Sequence, residues 1–371
     1  MTSRRQRQVA LAALCLTPLL LAGCGVDAPA STGAGGGGEA GGSAGTASAQ
    51  PAVDIDITGP DAVPAADEGE AKSIAFFGFA RANSFANATW SGIEQYAQAH
   101  NATAQFFDPN FDAQTQVSQM QDALTSGRFD VFVVQANDGQ AVIPAVQSAI
   151  SAGISVVVEF TPVGTAYDSA DPQVQGALTL IDVPTDNGKA LGQMAVDACK
   201  QLGTQPCQVA YLEGNRSLPL DNARTEAVKQ QLSSAGIEVV ASVEGGYTND
   251  SGRQAMQDVL QSDPDVDVVI GSTQAIAGAE GVVGQDVALI GNGGSRQALD
   301  AVRDGRWFGA YCTPEVTAGQ TAAALGLAAA RGTAVPASND YAGLAPSGVA
   351  WPADMICTSS TVTGIEGQYD E

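Results

Sequence analysis

The chain has 371 residues, with 16 Lys+Arg against 40 Asp+Glu, one His and six Cys. Apolar residues make up 44% and charged residues 15%, a balance that builds the core of one large or two medium domains. A net charge of −24 excludes a nucleic-acid partner, which needs clustered Lys/Arg, and electrostatic docking on anionic lipid; with His100 the lone His, a Ser/His/Asp triad or a multi-His metal site is disfavoured.

Residues 1–23 read as an export signal. Arg4, Arg5 and Arg7 form a basic start, and an apolar stretch from Val9 to Ala22 is too short to span a bilayer. It ends Leu21-Ala22-Gly23-Cys24, which resembles the lipobox of bacterial lipoproteins. That resemblance implies that Cys24 is lipidated and holds the body at the outer face of a membrane. Residues 24–72 read as a tether: eight of the fourteen positions from Gly33 to Thr46 are Gly, and Asp54, Asp56, Asp61, Asp67, Glu68 and Glu70 add self-repulsion. No Gly-Lys-Ser/Thr follows the glycines, so they are not a phosphate loop.

From residue 73 onward, short β-branched runs alternate with helical patterns. Ser73–Phe77, Asp130–Val134 and Ile154–Val158 predict strands, with helices over Trp90–Ala99 and near Gly139–Ala152. The rhythm returns in strands at Gln208–Leu212, Ile237–Val243, Val266–Ile270 and Val287–Ile290, with helices over Asp221–Ala235 and Gly252–Gln261. This is the pattern of parallel α/β units, and roughly ten strands suit two sheets, hence two lobes.

Several short motifs, in order, resemble the ribose- and galactose-type periplasmic binding proteins. They are Asn83-Ser84-Phe85 with Gly92 and Ala97, Gln135-Ala136-Asn137-Asp138, Ala223-Arg224 before a helix, Ile290-Gly291-Asn292-Gly293, and Tyr311-Cys312-Thr313-Pro314. The resemblance covers about 73–360. It implies the type I periplasmic-binding-protein fold: two Rossmann-like lobes joined by three hinge strands, closing on a small ligand. The expected division is 73–182 plus 313–350 for the first lobe and 183–312 plus 351–371 for the second. The implied function is an extracytoplasmic solute receptor, monomeric, without cofactor or metal, that delivers a sugar or sugar-like ligand to an ABC permease. A sensory receptor serving a membrane signalling protein has the same body and stands as the alternative. No nucleophile elbow, HExxH or Walker motif argues for an enzyme.

Ligands of open parallel sheets sit beyond the carboxyl ends of the strands, so polar and aromatic residues there are the candidates. In the first lobe these are Asn83 and Phe85, then Gln135, Asn137 and Asp138, then Glu159 and Phe160. Asn137 and Asp138 are equally good helix caps. Sugar-binding relatives often carry Asp-Arg where Phe160 and Thr161 stand here; Glu159 replaces that carboxylate only if the strand register shifts by one, which turns it to the other face. In the second lobe the candidates are Asn222, Arg224, Thr273, Gln274 and Asn292. Cys199, Cys207, Cys312 and Cys357 remain after the leader, an even number for an oxidising compartment. The short spacing across a loop favours Cys199–Cys207, which leaves Cys312–Cys357, both near expected hinge crossings.

Overall fold

The computed structural model describes residue 53 and residues 55–371; the expected export signal and the expected lipidation at Cys24 lie outside the described residues. Two sheets form. The first has strand order β2-β1-β3-β4-β5, from β1 (Lys72–Phe77), β2 (Ala102–Phe107), β3 (Val131–Val134), β4 (Ser155–Phe160) and β5 (Leu178–Ile181). Every pairing in it is parallel. The second has order β11-β10-β9-β8-β6-β7, from β6 (Val209–Glu213), β7 (Val239–Glu244), β8 (Val268–Ser272), β9 (Ala288–Asn292), β10 (Gly309–Tyr311) and β11 (Ile356–Thr358). Only the β10–β11 pairing is antiparallel.

The central strands β1, β3 and β4 are buried along nearly their whole length, which is why they read as unbroken apolar runs rather than as alternating ones. The edge strand β2 alternates between half-buried and exposed positions. Helices α1 (Ser84–Ala99), α2 (Ala113–Ser126) and α3 (Ile143–Ser151) connect the first sheet. Helices α4 (Pro184–Leu202), α5 (Pro219–Ser234), α6 (Asn249–Ser262), α7 (Thr273–Glu280) and α8 (Arg296–Arg303) serve the second.

Helix α9 (Glu315–Ala330) follows β10 of the second sheet but packs on α1, β3 and β4 of the first. Its Ala- and Gly-rich sequence permits this depth: twelve of its sixteen residues are buried. Gly92 of α1 and Gly319 of α9 make the helix crossing possible, because a Cβ at either would overlap a backbone carbonyl of the other helix, that of Val316 or of Thr89.

The chain passes between the sheets at three places. The first is Asp182–Val183, between β5 and α4, and the second is Cys312–Pro314, between β10 and α9. The third returns from Tyr341, whose amide bonds the Ile181 carbonyl at 3.0 Å, to Met355, whose carbonyl accepts from the Cys312 amide at 2.7 Å. Disulfides join Cys199 to Cys207 and Cys312 to Cys357.

One expectation is corrected here. The tether of residues 24–72 is too long at its end. Ile57 and Val63 are buried in the core, and the 3-10 turn Pro60–Ala62 packs on α9. Two apolar side chains in this acidic segment find a groove, and burying them outweighs the self-repulsion of the neighbouring carboxylates.

Candidate functional site

The carboxyl ends of the two sheets face one another across a cleft of about 510 Å³, counting its open mouth. The first lobe contributes Phe79, Asn83, Phe85, Phe111 and Phe160. The second contributes Leu218, Leu220, Arg224, Tyr247, Gln274, Asn292 and Gly293, and Thr313 of the second crossing and Tyr369 complete the wall.

The aromatic side is built by strand ends. Phe160 closes β4 and packs on Phe85 with ring centroids 4.6 Å apart and on Phe79 edge-on at 6.1 Å. Phe160 and Phe111 both hold positive φ, 63° and 62°. Such backbone is uncommon for a bulky residue and is retained where the surrounding packing imposes it. Both rings line the cleft.

The polar side centres on Arg224. Asn215 N donates to Asp221 Oδ2 at 2.8 Å, Arg224 Nη1 donates to Asp221 Oδ1 at 2.9 Å, and the Tyr247 hydroxyl donates to the same carboxylate at 2.6 Å. Asp221 is thereby saturated and holds the guanidinium still. Arg224 Nε and Nη2 are buried without partners, although Nη2 lies 4.0 Å from Asp182. Buried donors left unpaired are costly, so two donors kept free beside a cavity point to an acceptor that fills it. No carboxylate lines the cleft among the described residues.

Several contacts already bridge the lobes, among them a hydrogen bond and a ring stack. Gln274 Nε2 donates to Ser84 Oγ at 2.9 Å, and the rings of Phe111 and Tyr247 stack at 6.1 Å.

Of the residues singled out from sequence, Asn83, Phe85, Phe160, Arg224, Gln274 and Asn292 meet at the cleft. Asn83 also caps α1, its Oδ1 accepting from Ala86 N at 2.9 Å, which leaves its amide nitrogen for the cleft. Asn292 Oδ1 accepts from Asn187 at 3.2 Å.

The structure does not bring the other six to the wall. Gln135 is fully buried and donates to Thr89 Oγ1 at 3.0 Å. Asn137 is buried with both amide atoms unpartnered, and Asp138 caps the turn before α3 by accepting from Gln140 N and Ala141 N. Asn222 is exposed and donates to the Arg216 carbonyl, because helix α5 turns its neighbour Arg224 inward instead. Thr273 is fully buried at the start of α7, packed against Gly291 and Gly293 behind the wall.

Glu159 points to the opposite face of β4 from Phe160. It is fully buried, accepts a hydrogen bond from the Tyr341 hydroxyl, and leaves Oε2 unpartnered. There is no register shift: Phe160 pairs with Ile181 and Glu159 with Leu180. Burial pushes the Glu159 carboxyl up to about 7. Glu315, at the start of α9, is raised well above the carboxylate range by burial and by Glu159. Asp182 is raised to about 6 by burial, with Arg224 opposing the shift. These acids sit beside the crossings rather than at the ligand wall.

Phe79, Phe111, Tyr247, Thr313 and Tyr369 were missed from sequence. Phe79 and Phe111 carry the one usable signal, aromatic residues just beyond β1 and β2; Tyr369 lies far from any strand end and carries none.

Comparison with known proteins follows the same outline. A model of the periplasmic binding protein domain matches residues 74–334. The chain is 27% identical over 217 residues to the ribose import binding protein of Bacillus subtilis, covering 57% of this chain and 67% of that protein. It is 26% identical over 205 residues to a D-ribose/D-allose-binding protein of Pseudomonas aeruginosa, covering 53% and 61%. The match therefore spans only about two thirds of the relatives' own length. Among solved structures, an ABC transporter solute binding protein from Mycobacterium smegmatis with bound glycerol superposes with a TM-score of 0.66 at 23% identity, over 81% of this chain and 99% of that one. A myo-inositol binding protein from Caulobacter gives 0.65 at 18% identity, over 81% and 97%. At these identities the solved structures establish a shared fold.

Proposed function

Because the chain belongs to the periplasmic binding protein domain family, whose model matches residues 74–334, we propose that it is an extracytoplasmic receptor that captures a small sugar or sugar-like solute between its lobes. The relatives and the fold are those of solute-binding proteins, not of enzymes.

The observation that carries this reading is the cleft. It is walled from both lobes, backed by aromatic rings, and keeps the Arg224 donors buried and unpaired. Apolar rings cover the C–H face of a sugar while amides and the guanidinium meet its oxygens. Asn83, Asn292, Gln274 and Arg224 supply those polar groups. The curated relatives are described as binding ribose and allose, which favours a compact monosaccharide over a chain-like ligand. No helix among the described residues is long and apolar enough to cross a membrane, so delivery rests on a separate permease of the ABC type. Lipidation at Cys24 keeps the receptor beside it, and Cys24 to residue 56 supplies the reach.

Thermal melting of the purified chain against pentoses, hexoses, polyols, nucleosides and aromatic acids tests the reading. A ligand that binds only the folded state stabilises it by about 2.7 kcal/mol at a hundredfold excess over Kd. A shift of several degrees with a sugar or polyol is expected. A shift confined to nucleosides or aromatic acids overturns the sugar assignment, and no shift with any compound overturns capture of these solutes.

A further inference from the structure

The family match stops at residue 334, but the cavity wall does not, because Tyr369 belongs to it. After β11 the chain runs back across α8 as the segment Ile365–Glu371. Arg303 Nη2 donates to the Ile365 carbonyl at 2.6 Å, and Arg296 N donates to the Tyr369 carbonyl at 2.9 Å. Ser295 Oγ donates to Glu371 Oε1 at 2.7 Å, and Arg296 pairs with Asp370 at 2.9 Å. The approach is close enough that a Cβ on Gly367 would run into the backbone of Ser295 and Arg296.

Gln368 reaches the other way. Its Oε1 accepts from Thr317 N at 3.0 Å and its Nε2 donates to Thr317 Oγ1 at 2.8 Å. Thr317 lies on α9, which packs against the first sheet, whereas α8 packs against β10 and β11 of the second. The segment is thus fastened to helices of both lobes, and Tyr369 stands between the two anchorages. Its hydroxyl is buried beside Gly293 of the cavity wall, close to Thr273 Oγ1, and neither oxygen has a partner at hydrogen-bond distance. Five of the seven residues bond to α8, its cap Ser295 or α9, yet the one polar side-chain atom that the segment brings to the cavity wall is without a partner at hydrogen-bond distance. That combination points to a partner arriving from the cleft.

We propose that the segment Ile365–Glu371 is a strap that completes the ligand site, and that Tyr369 is a specificity-determining residue whose hydroxyl donates to an oxygen of the bound solute. The proposal rests on the reading of the cleft as a solute site. Burial, with Glu315 and Glu371 nearby, holds the phenol well above its ordinary pKa, so it stays protonated and able to donate. With the Arg224 donors in the same wall and no carboxylate lining the cleft among the described residues, the wall offers donors in excess. The solute it fits is therefore compact and presents accepting oxygens, such as a ring or carbonyl oxygen, to Tyr369 and to Arg224. Gln368 acts as a positioning residue, through the strap.

Calorimetric titration of the full-length chain with D-ribose, D-allose, D-fucose and myo-inositol provides the test, using the wild type and the variants Tyr369→Phe, Tyr369→Ala, Gln368→Ala and Arg224→Lys. Tyr369→Phe should weaken the best-bound probe about tenfold and reorder the four probes, because one hydrogen bond is lost. Its unliganded melting temperature should match the wild type, a result that a merely structural role would not give. Gln368→Ala should weaken binding less, with the order of the probes kept. Wild-type affinity and order in both Tyr369 variants, with binding lost in Arg224→Lys, overturn the strap while the receptor reading stands. A wild type that binds none of the four overturns the sugar reading, and the strap proposal with it.

Discussion

The guanidinium of Arg224 lies over the ring of Phe160, with Cζ 5.9 Å from the ring centroid. Arg224 begins its reach from α5 of the second lobe and Phe160 ends β4 of the first, so the contact spans the cleft. A cation over an aromatic face contributes about 0.5–2 kcal/mol, the upper end where water is excluded. Asp221 engages Nη1 and Phe160 packs on the guanidinium, while Nε and Nη2 stay buried without a hydrogen-bond partner.

Replacing Arg224 by Lys keeps the charge but loses the fork and the stacked plane. Ligand affinity should fall more than tenfold, read by titration with the best-bound sugar. Arg224→Ala should also lower stability by about 3–5 kcal/mol, since Asp221 would be left buried without its partner. An Arg224→Lys receptor with unchanged affinity would remove the guanidinium from the site.

Phe160 offers a paired test of strain against stacking. Its φ of 63° suits Gly and opposes any residue with a Cβ. Phe160→Ala and Phe160→Gly both delete the ring, so both should weaken ligand binding alike. The Gly variant should nevertheless melt higher than the Ala variant, by about 1 kcal/mol of relieved backbone strain. Equal melting temperatures would mean that the left-handed turn costs nothing there.

The buried acids beside the crossings set a pH dependence. Glu159 has its folded pKa raised by burial from 4.5 to about 7, and Asp182 from 3.8 to about 6. Between the unfolded and folded values the native chain holds protons that the unfolded chain has released. This stabilisation is complete at low pH and is lost as pH rises through about 6 and then 7. Melting temperature should therefore fall from about pH 4 to about pH 7 and level off above it. Glu159→Gln should flatten that fall, because the amide keeps a partner for Tyr341 and has no proton to lose. A wild-type melting temperature that rises over this interval would contradict the assignment.

The Cys312–Cys357 disulfide joins the residue after β10 to the middle of β11, across a sequence separation of 45. Closing a loop of that length stabilises by about 4 kcal/mol in the chain-entropy account, against about 2.5 for the separation of 8 between Cys199 and Cys207. Cys312→Ser/Cys357→Ser should accordingly lower the melting temperature more than Cys199→Ser/Cys207→Ser. Because the Trp351 indole donates to the Cys312 carbonyl at 2.8 Å, the bridge also stiffens the second crossing. Ligand affinity should drop in the Cys312 pair alone; equal affinity in both double variants would separate the bridge from closure.

Gly92 and Gly319 make a local prediction about the fold. Either change to Ala forces α1 and α9 apart, since the obstructing atoms are backbone carbonyls that have nowhere to move. Overpacking of this kind costs about 1–3 kcal/mol. Chemical denaturation should show the loss for both single variants, and ligand affinity should fall less than stability.

Much of this architecture was legible along the chain. Short apolar runs separated by helical spacing announced parallel strands covered on both faces, and the two sheets follow from that. Motifs resembling those of the family singled out Asn83, Phe85, Arg224 and Asn292, and the expected end of a strand singled out Gln274; all five line the cleft. The face of β4 was also predictable in principle, since Glu159 and Phe160 must point oppositely, but which of them lines the cleft depended on register. Asp138 and Asn222 show the converse, polar residues whose side chains bond the backbone, and Asn137 is buried outside the cleft lining with both amide atoms unpartnered.

Sequence by itself therefore determined the parallel α/β class, the two-lobed body, the acidic balance and the pairing of nearby cysteines, because these depend on local periodicity, composition and short loops. Tertiary structure alone decided which strand ends share one cavity, the seating of Ile57 and Val63 under α9, and the arrival of Tyr369 in the cavity wall. Those outcomes rest on contacts between residues far apart in the chain, 51 positions for Gln368 and Thr317, where the packing of α8 and α9 chooses the geometry and no local pattern records the choice.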